Sequence, residues 1–301
     1  MLLKKHIPIS YVFGKIKYEM IFVSIYAVII GILDEDFHED ISVPLSVPMI
    51  LGTAISLLLA FRSNQAYDRW WEARIIWGAI VNDSRSLTRQ ALTFVHDPTF
   101  SVEVLRWQEQ FVKRQMAWCH SLGQALRGLD PIGRCRSLLS AEDLHFIEQH
   151  DNKPNALLLL HGRDIRRWLD EGLINAYQHV QLDETLTKLC DSMGKCERIK
   201  NTVFPTTYSL YLHLSLYFFV MLLPFGLVDY FGLIEIPLVI AIAAAFFLIE
   251  KMAVHLQDPF ENKPTDTPVT TIANTIERNL RQMLDDQRPQ TTPEVQTYYQ
   301  M

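Results

Sequence analysis

The stretch VPLSVPMILGTAISLLLAFRSNQAYDRWW (residues 43–71) begins with an apolar run and then turns charged and aromatic. Residues 43–61 carry no charged side chain, whereas Arg62, Asp68 and Arg69 follow closely, together with Trp70 and Trp71. A membrane-spanning helix needs about 17–25 mostly apolar residues. Arginine and tryptophan are typical of the zone where such a helix leaves the bilayer. The stretch therefore predicts a membrane helix that reaches the water interface near Phe61.

Three other segments are apolar enough to be membrane spans. They are MIFVSIYAVIIGIL (residues 20–33), TYSLYLHLSLYFFVMLLPFGLV (residues 207–228) and LIEIPLVIAIAAAFFLI (residues 233–249). The first of these is short, and the last carries Glu235 near its start. With residues 43–61 they make four predicted transmembrane helices.

The positions of the basic residues predict the topology. All 28 lysines and arginines lie in residues 1–20, 62–200 and 251–301. Because cytoplasmic loops are enriched in Lys and Arg, both termini and the long middle are expected in the cytosol. Two short loops, residues 34–41 and 229–232, are expected outside. The alternative is a soluble protein with two buried helical hairpins, and the charge segregation favours an inner (plasma) membrane protein.

The predicted fold class is all-α, with five regions. Residues 1–19 form a cytosolic segment, 20–61 the first two transmembrane helices, 62–205 a cytosolic helical domain, 206–250 the last two transmembrane helices, and 251–301 a cytosolic C-terminal segment. Within the middle region, Ser140 followed by Asp143 resembles a helix-capping pattern, Pro154 suits a helix start, and residues 128–131 predict a turn.

Composition and motifs argue against several classes of function. A net charge of −6 does not suit nucleic-acid binding, which normally shows a basic face. The sequence has no recognisable motif of catalysis or nucleotide binding, and a membrane-embedded enzyme is the weaker alternative. The spacing of Cys119, His120, His145, His150 and His161 does not match a metal site. We therefore expect no metal and no cofactor, and free thiols for the four cysteines.

The second apolar segment places three side chains on one helix face. Thr53, Leu57 and Phe61 fall at positions i, i+4 and i+8, and therefore stack along a helix. They either pack against a neighbouring helix or line a narrow apolar pore that symmetry repeats around an axis. Apolar constrictions of the second kind gate by dewetting. Spacing alone favours simple packing.

Three segments at the expected membrane–cytosol junctions resemble those of the bacterial bestrophin homologues. They are FRSNQAYDRWWEARIIWGAIVNDSRSLTRQ (residues 61–90), CERIKNTVFP (residues 196–205) and LQDPFENKPTDTPV (residues 256–269). They occur in the family's order, and the resemblance covers roughly residues 10–285. It implies a homopentameric ion channel around an axial pore, with four membrane helices and a helical cytosolic domain in each subunit.

The resemblance also implies roles for particular residues. Thr53, Leu57 and Phe61 fall on the three positions of the family's pore neck, which reverses the preference for simple packing. Phe61 matches the aromatic residue usual there, whereas Thr53 departs from the usual bulky aliphatic residue. A second constriction at the cytosolic exit is expected in HVQLDETL (residues 179–186), at Val180 or Leu182.

Calcium activation is not expected. Eukaryotic bestrophins carry an acidic run after a stretch that resembles Asp258-Pro259-Phe260. Here the next residues are ENKPTD (residues 261–266), which offer few carboxylates and include Lys263. Calcium takes six to eight oxygen ligands, so this stretch is a poor calcium site.

The sign of the permeant ion stays open at this stage. The family label favours monovalent anions such as chloride, whereas an acidic outer loop would concentrate cations at the mouth of the pore. That loop contains Asp34, Glu35, Asp36, Glu39 and Asp40. A cation channel of the same fold and a non-conducting membrane scaffold or sensor are the alternatives. The expected partners are other copies of the chain, membrane lipids and monovalent ions, and not nucleic acid.

Overall fold

A computed structural model describes residue 11 and residues 13–37, 42–99, 101–202 and 205–286 of the chain. These residues form helices and turns and contain no β-strand. The chain divides into two compact units, with boundaries between Trp70 and Trp71, between Asn201 and Thr202, and between Asp258 and Pro259. We call the unit that contains the apolar segments the membrane unit, and the other the cytosolic unit, after the location that the sequence predicts for it.

The α-helices of the described residues are numbered in chain order. They are α1 (Lys17–Phe37), α2 (Ser46–Phe94), α3 (Val102–Leu126), α4 (Ala141–Glu148), α5 (Lys153–Asp170), α6 (Ala176–Asn201), α7 (Thr206–Phe231), α8 (Glu235–Leu256) and α9 (Val269–Met283). Two short 3-10 helices are also present, Arg136–Leu138 and Gly232–Ile234. Each of the four predicted apolar segments thus lies on a helix.

The membrane unit packs α1, the first part of α2, α7 and α8 around one apolar core. Ile55 and Leu59 of α2 share that core with Phe219 of α7 and Phe247 of α8. Its outer surface is also apolar, and α1 exposes Ile21, Phe22, Ile25, Ile29 and Ile32. Exposed apolar surface of this extent marks a membrane or protein contact.

Two helical stretches of the described residues, Ser46–Phe94 and Thr206–Leu256, are long and apolar enough to cross a membrane. The second stretch contains both α7 and α8. Helix α1 is not among them, because charged residues lie close to both of its ends and leave only a short apolar run between them.

The cytosolic unit has its own core, built around the indole rings of Trp77, Trp118 and Trp168. A buried charged cluster lies beside it. The Arg114 guanidinium contacts Asp164 and donates to Asp143 Oδ1 at 2.8 Å. Burial alone would lower the pKa of Arg114, but the two facing carboxylates raise it above its ordinary value. Because the cluster is buried, removal of one partner would leave an uncompensated charge.

Two helices extend beyond the apolar segments that predict them. Helix α1 runs to Phe37, so Asp34 lies on a helix and not in a loop. Helix α2 continues without interruption from Ser46 to Phe94, across the domain boundary expected after Phe61. Hydropathy predicts where a helix can lie in lipid, and not where it ends. No proline and only one glycine (Gly78) occur between residues 62 and 94, so nothing local breaks the helix.

The contact between α7 and the start of α2 depends on a glycine. A Cβ atom at Gly226 of α7 would lie 2.6 Å from Pro48 Cγ, far inside van der Waals contact. The same junction is closed by a hydrogen bond from the Val43 amide to the Phe225 carbonyl at 2.9 Å. The absence of a side chain at position 226 therefore permits the two segments to meet.

We expect Gly226→Ala to lower the thermal stability of the detergent-solubilised protein, because overpacking costs about 1–3 kcal/mol. The matched control is Gly194→Ala on α6, where a Cβ would meet nothing within 4 Å. That substitution should stabilise the protein by about 0.5–1 kcal/mol, since alanine is the better helix former. Equal unfolding temperatures for both variants would show that the close approach at Gly226 does not affect the stability of the protein.

Candidate pore-lining site

One face of α2 is left uncovered by the rest of the described chain. Thr53, Leu57 and Phe61 all lie on it, and Leu57 and Phe61 each keep 58 % of their surface exposed. Ile55 and Leu59 are buried on the opposite side, against α7. The helix is therefore packed on one side only, and the three predicted residues stand together on its free side.

The hydroxyl groups of this segment are satisfied within the helix. Thr53 Oγ1 donates to the Met49 carbonyl at 2.8 Å, and Ser56 Oγ donates to the Gly52 carbonyl at 2.7 Å. Back-bonding of this kind is usual for Ser and Thr in helices that lie in an apolar environment. Because its proton is used internally, Thr53 offers the free face an oxygen acceptor and a methyl group.

A buried arginine fixes the position of α2 directly beside Phe61. Arg62 points away from the free face, and its Nη2 donates to Ser209 Oγ of α7 at 3.1 Å. Its Nη1 lies 3.9 Å from Glu250 Oε1 of α8, and both side chains are almost fully buried. Arg62 thus ties the end of the apolar segment to two other membrane helices.

The same anchor extends to further groups on α7 and α8. His213 Nδ1 and Glu250 Oε1 are 2.8 Å apart, so Glu250 has partners on two helices. Two turns further along α2, Arg69 Nε donates to the Gln257 carbonyl at 2.9 Å. These contacts hold the back of α2 at the level of Phe61 and beyond it.

The sequence places Arg62 where a membrane helix leaves the bilayer, but the sequence analysis did not identify Glu250 or His213 as its partners. The sequence does contain one indication that Arg62 pairs with Glu250. Arg62 directly follows the second apolar segment, and Glu250 directly follows the fourth. Because the predicted topology ends both segments on the same side, the two charges belong at the same depth. Opposite charges at equal depth in a low-dielectric region pair with one another.

The two candidates for the cytosolic constriction differ in exposure. Leu182 of α6 is 0 % exposed and belongs to the core of the cytosolic unit, whereas Val180 is 63 % exposed. Residues two apart on a helix point in nearly opposite directions, which agrees with this difference in exposure. Leu182 is therefore unsuited to line an open passage, and Val180 is the remaining candidate. Tyr177, one turn earlier, is 86 % exposed and was not predicted.

The predicted acidic loop is only partly within the described residues. Asp34 lies near the end of α1 and is partly buried. Glu35 and Asp36 lie on the same helix, but their side chains are outside the described residues, as are Glu39 and Asp40.

The stretch after Phe260 uses its carboxylates internally. Lys263 Nζ contacts Glu261, and the Lys263 amide donates to Asp266 Oδ2 at 2.9 Å. Asp266 is buried, and the Thr267 amide closes the loop by donating to the Pro259 carbonyl at 3.1 Å. A calcium ion would have to displace a lysine and open a closed turn to reach these oxygens.

The described residues also contain no group of three or more His, Cys, Asp or Glu side chains that could hold a metal. His120 Nε2 instead contacts Glu277 Oε2 at 2.7 Å, and this contact is the first cause of a lowered pKa of Glu277. Burial raises the pKa of the Cys119 and Cys135 thiols to about 12. Both thiols are therefore protonated at neutral pH.

Comparison with known proteins gives a consistent result. The family model described as Bacterial/Fungal Bestrophin protein matches residues 6–282. The voltage-dependent anion channel-forming protein RSc3414 of Ralstonia nicotianae is 34 % identical over 79 % of this chain and 76 % of its own length. YneE of Escherichia coli K12, named as the same kind of protein, is 32 % identical over 83 % and 80 %. A crystal structure of a bacterial bestrophin homologue from Klebsiella pneumoniae superposes with a TM-score of 0.83, at 30 % identity over 91 % of this chain and all of that chain.

The anchor beside Phe61 predicts a specific pattern of stabilities. Arg62→Met should lower the free energy of unfolding by about 3 kcal/mol, because Glu250 then stays buried without its guanidinium. The double variant Arg62→Met/Glu250→Gln should recover part of that loss, since the uncompensated charge is gone. The measurement is thermal unfolding in detergent.

The control for this prediction is Arg198→Met in the cytosolic unit. Its partner Glu72 is 2.5 Å away, but both side chains are well exposed, so the effect should stay below about 1 kcal/mol. An Arg62→Met variant as stable as the control would contradict the assignment of Arg62 as an anchor.

Proposed function

This chain belongs to the bacterial and fungal bestrophin family, and we propose that it assembles into a homopentameric membrane channel for monovalent anions such as chloride. The observation that carries the proposal is the free face of α2. An apolar helix face in the middle of a membrane unit, packed on its back and uncovered at its front, needs an occupant other than the chain itself. A ring of the same face from symmetry-related copies would enclose a narrow apolar passage.

The passage would have two narrow points. Thr53, Leu57 and Phe61 form the neck, which is apolar apart from the Thr53 oxygen. Val180, exposed at the start of α6, forms the cytosolic aperture. Apolar rings of this kind control flux by dewetting and by their width. A bare apolar neck does not choose the sign of the ion, so selectivity must arise elsewhere along the passage.

The membrane placement rests on surface chemistry. Four helices present isoleucine, leucine and phenylalanine outward, and residues 21–61 and 201–250 lack every lysine and arginine. We therefore propose four spans in the inner (plasma) membrane with both termini in the cytosol. Helix α1 is included because a band of its large apolar side chains remains exposed.

The anion label follows the names of the relatives from Ralstonia nicotianae and Escherichia coli, which are given as anion channel-forming proteins. One observation favours the alternative of cation selectivity. Residues 34–41 are acidic and contain no lysine or arginine, and five copies around a mouth would attract cations. We give priority to the anion assignment because absence of Lys and Arg is already imposed by the topology.

The neck is tested by Leu57→Ala. A smaller side chain widens the ring and lets it wet more readily, so the single-channel conductance in planar bilayers should rise. The matched control is Leu58→Ala, the same substitution one position along, on a different face of α2. A Leu57→Ala conductance equal to that of the wild type would contradict the assignment of Leu57 to the neck. A complete absence of current in the wild type and in both variants would favour a non-conducting scaffold.

Calcium provides a second test. Because the carboxylates of the stretch 261–266 already bind Lys263 and backbone amides, current should be independent of calcium on the cytosolic side. The measurement is a titration of calcium from nanomolar to millimolar levels at constant voltage. Steep activation in the micromolar range would contradict the proposal.

A further inference from the structure

Glu235 is the first residue of α8, and a charge on its carboxyl group would have no hydrogen-bond partner among the described residues. The Glu235 side chain is 0 % exposed, and both of its carboxyl oxygens are buried without a hydrogen-bond partner among the described residues. The buried Glu250 and the partly buried Glu19 differ from it, since Glu250 meets Arg62 and His213 and Glu19 meets Lys251. Glu235 alone among these three has no ion pair in the described part of the chain.

The surroundings of Glu235 come from α1. Its Oε1 lies 3.5 Å from the position that a Cβ of Gly31 would take, so the carboxyl group rests against the α1 backbone. Asp34 is the next acidic residue of α1, about one turn after Gly31, so an ionised Glu235 would face a like charge close by. That interaction is repulsive when both groups are ionised. Asp229 and Tyr230, near the end of α7, are exposed.

No lysine or arginine of the neighbouring sequence can neutralise Glu235. Residues 21–61 and 201–250 contain no lysine or arginine. A bound metal ion fits poorly as well, because a hard cation needs about six oxygen ligands and these carboxyl oxygens have no open surface. A buried carboxylate without partners is strongly unfavourable, and such a group takes up a proton instead.

We propose that Glu235 is a proton-binding site that holds the end of α1 against the start of α8. The packed arrangement contains the neutral carboxylic acid. Loss of the proton creates a negative charge beside Asp34 in an apolar contact, so the ends of the two helices separate until water reaches the carboxylate. The contact between α1 and α8 is therefore closed at low pH and opens as pH rises.

The direction of the pH effect follows from proton linkage. The packed state binds a proton that the exposed glutamate releases near its ordinary pKa of about 4.3. The contribution of this site to the free energy of unfolding is fully present below that pH and is lost as the pH rises. Asp34 extends the protonated range of Glu235 upward, so neutralising Asp34 should shift the loss of stability to lower pH.

The direct test is infrared difference spectroscopy of the full-length protein in lipid nanodiscs at neutral pH. The wild type should show the carbonyl band of a protonated carboxylic acid, and Glu235→Gln should lose it. Asp229→Asn, which neutralises an exposed carboxylate near the end of α7, is the matched control and should keep the band. A wild-type spectrum without such a band, or a band that survives Glu235→Gln, would overturn the proposal.

A second readout does not depend on the folding of the Glu235 variant. The unfolding temperature of the wild type, measured from about pH 5 to about pH 9, should contain a component that falls with rising pH. Asp34→Asn should move that component to lower pH, and Asp229→Asn should not. Identical profiles for Asp34→Asn and the wild type would contradict the proposed repulsion between Glu235 and Asp34. Neither readout requires ion conduction, so failure of the channel proposal would leave this test intact.

Discussion

The tie between Arg62 and the two helices behind it is the contact on which the account of this protein depends. It lies directly after Phe61, on the side of α2 opposite the free face. The guanidinium binds Ser209 and faces Glu250, and Glu250 in turn meets His213. A charge buried in an apolar unit is tolerated only where it is paired, so the tie specifies one packing of α2 against α7 and α8. With its back fixed, α2 presents Leu57 and Phe61 to whatever lies in front.

The proposed channel depends on the two sides of α2, one packed against other membrane helices and the other free to line a passage. Whether an apolar constriction is wet or dry depends on its width, because such constrictions gate by dewetting. Buried ion pairs and close helix contacts would keep that width constant. Gly226 contributes by letting Pro48 approach α7, as small residues do in membrane helix packing. Glu235 stands apart, since its environment suits a proton and not a counter-charge.

Local signals in the sequence predicted the helical elements well. The Ser140 side chain accepts from the Asp143 amide at 3.1 Å, as its capping pattern indicated. Gly128 adopts a φ of 68° in the expected turn. The four apolar segments lie on helices, and Thr53, Leu57 and Phe61 share one face. All of these features depend on residues within a turn or two of each other, where spacing alone carries the information.

Features that depend on distant contacts were beyond the sequence. The continuity of α2 past Phe61 was missed because hydropathy marks a change of solvent and not the end of a helix. Whether Leu182 or Val180 faces outward depends on how α6 packs in the cytosolic unit, and a short mixed segment does not reveal this. Glu250, which faces Arg62, lies on α8 and is far from Arg62 along the chain. An unpartnered acid such as Glu235 becomes visible only when every neighbour is placed.

The central claim is that the free face of α2 borders a passage for anions. Its most direct test is the reversal potential of the purified protein in a planar bilayer under a KCl gradient. The account predicts a reversal close to the chloride equilibrium potential, which would make the acidic residues 34–41 incidental to selectivity. A reversal close to the potassium equilibrium potential would contradict the anion assignment and would make Asp34 and its acidic neighbours the selectivity determinants to neutralise.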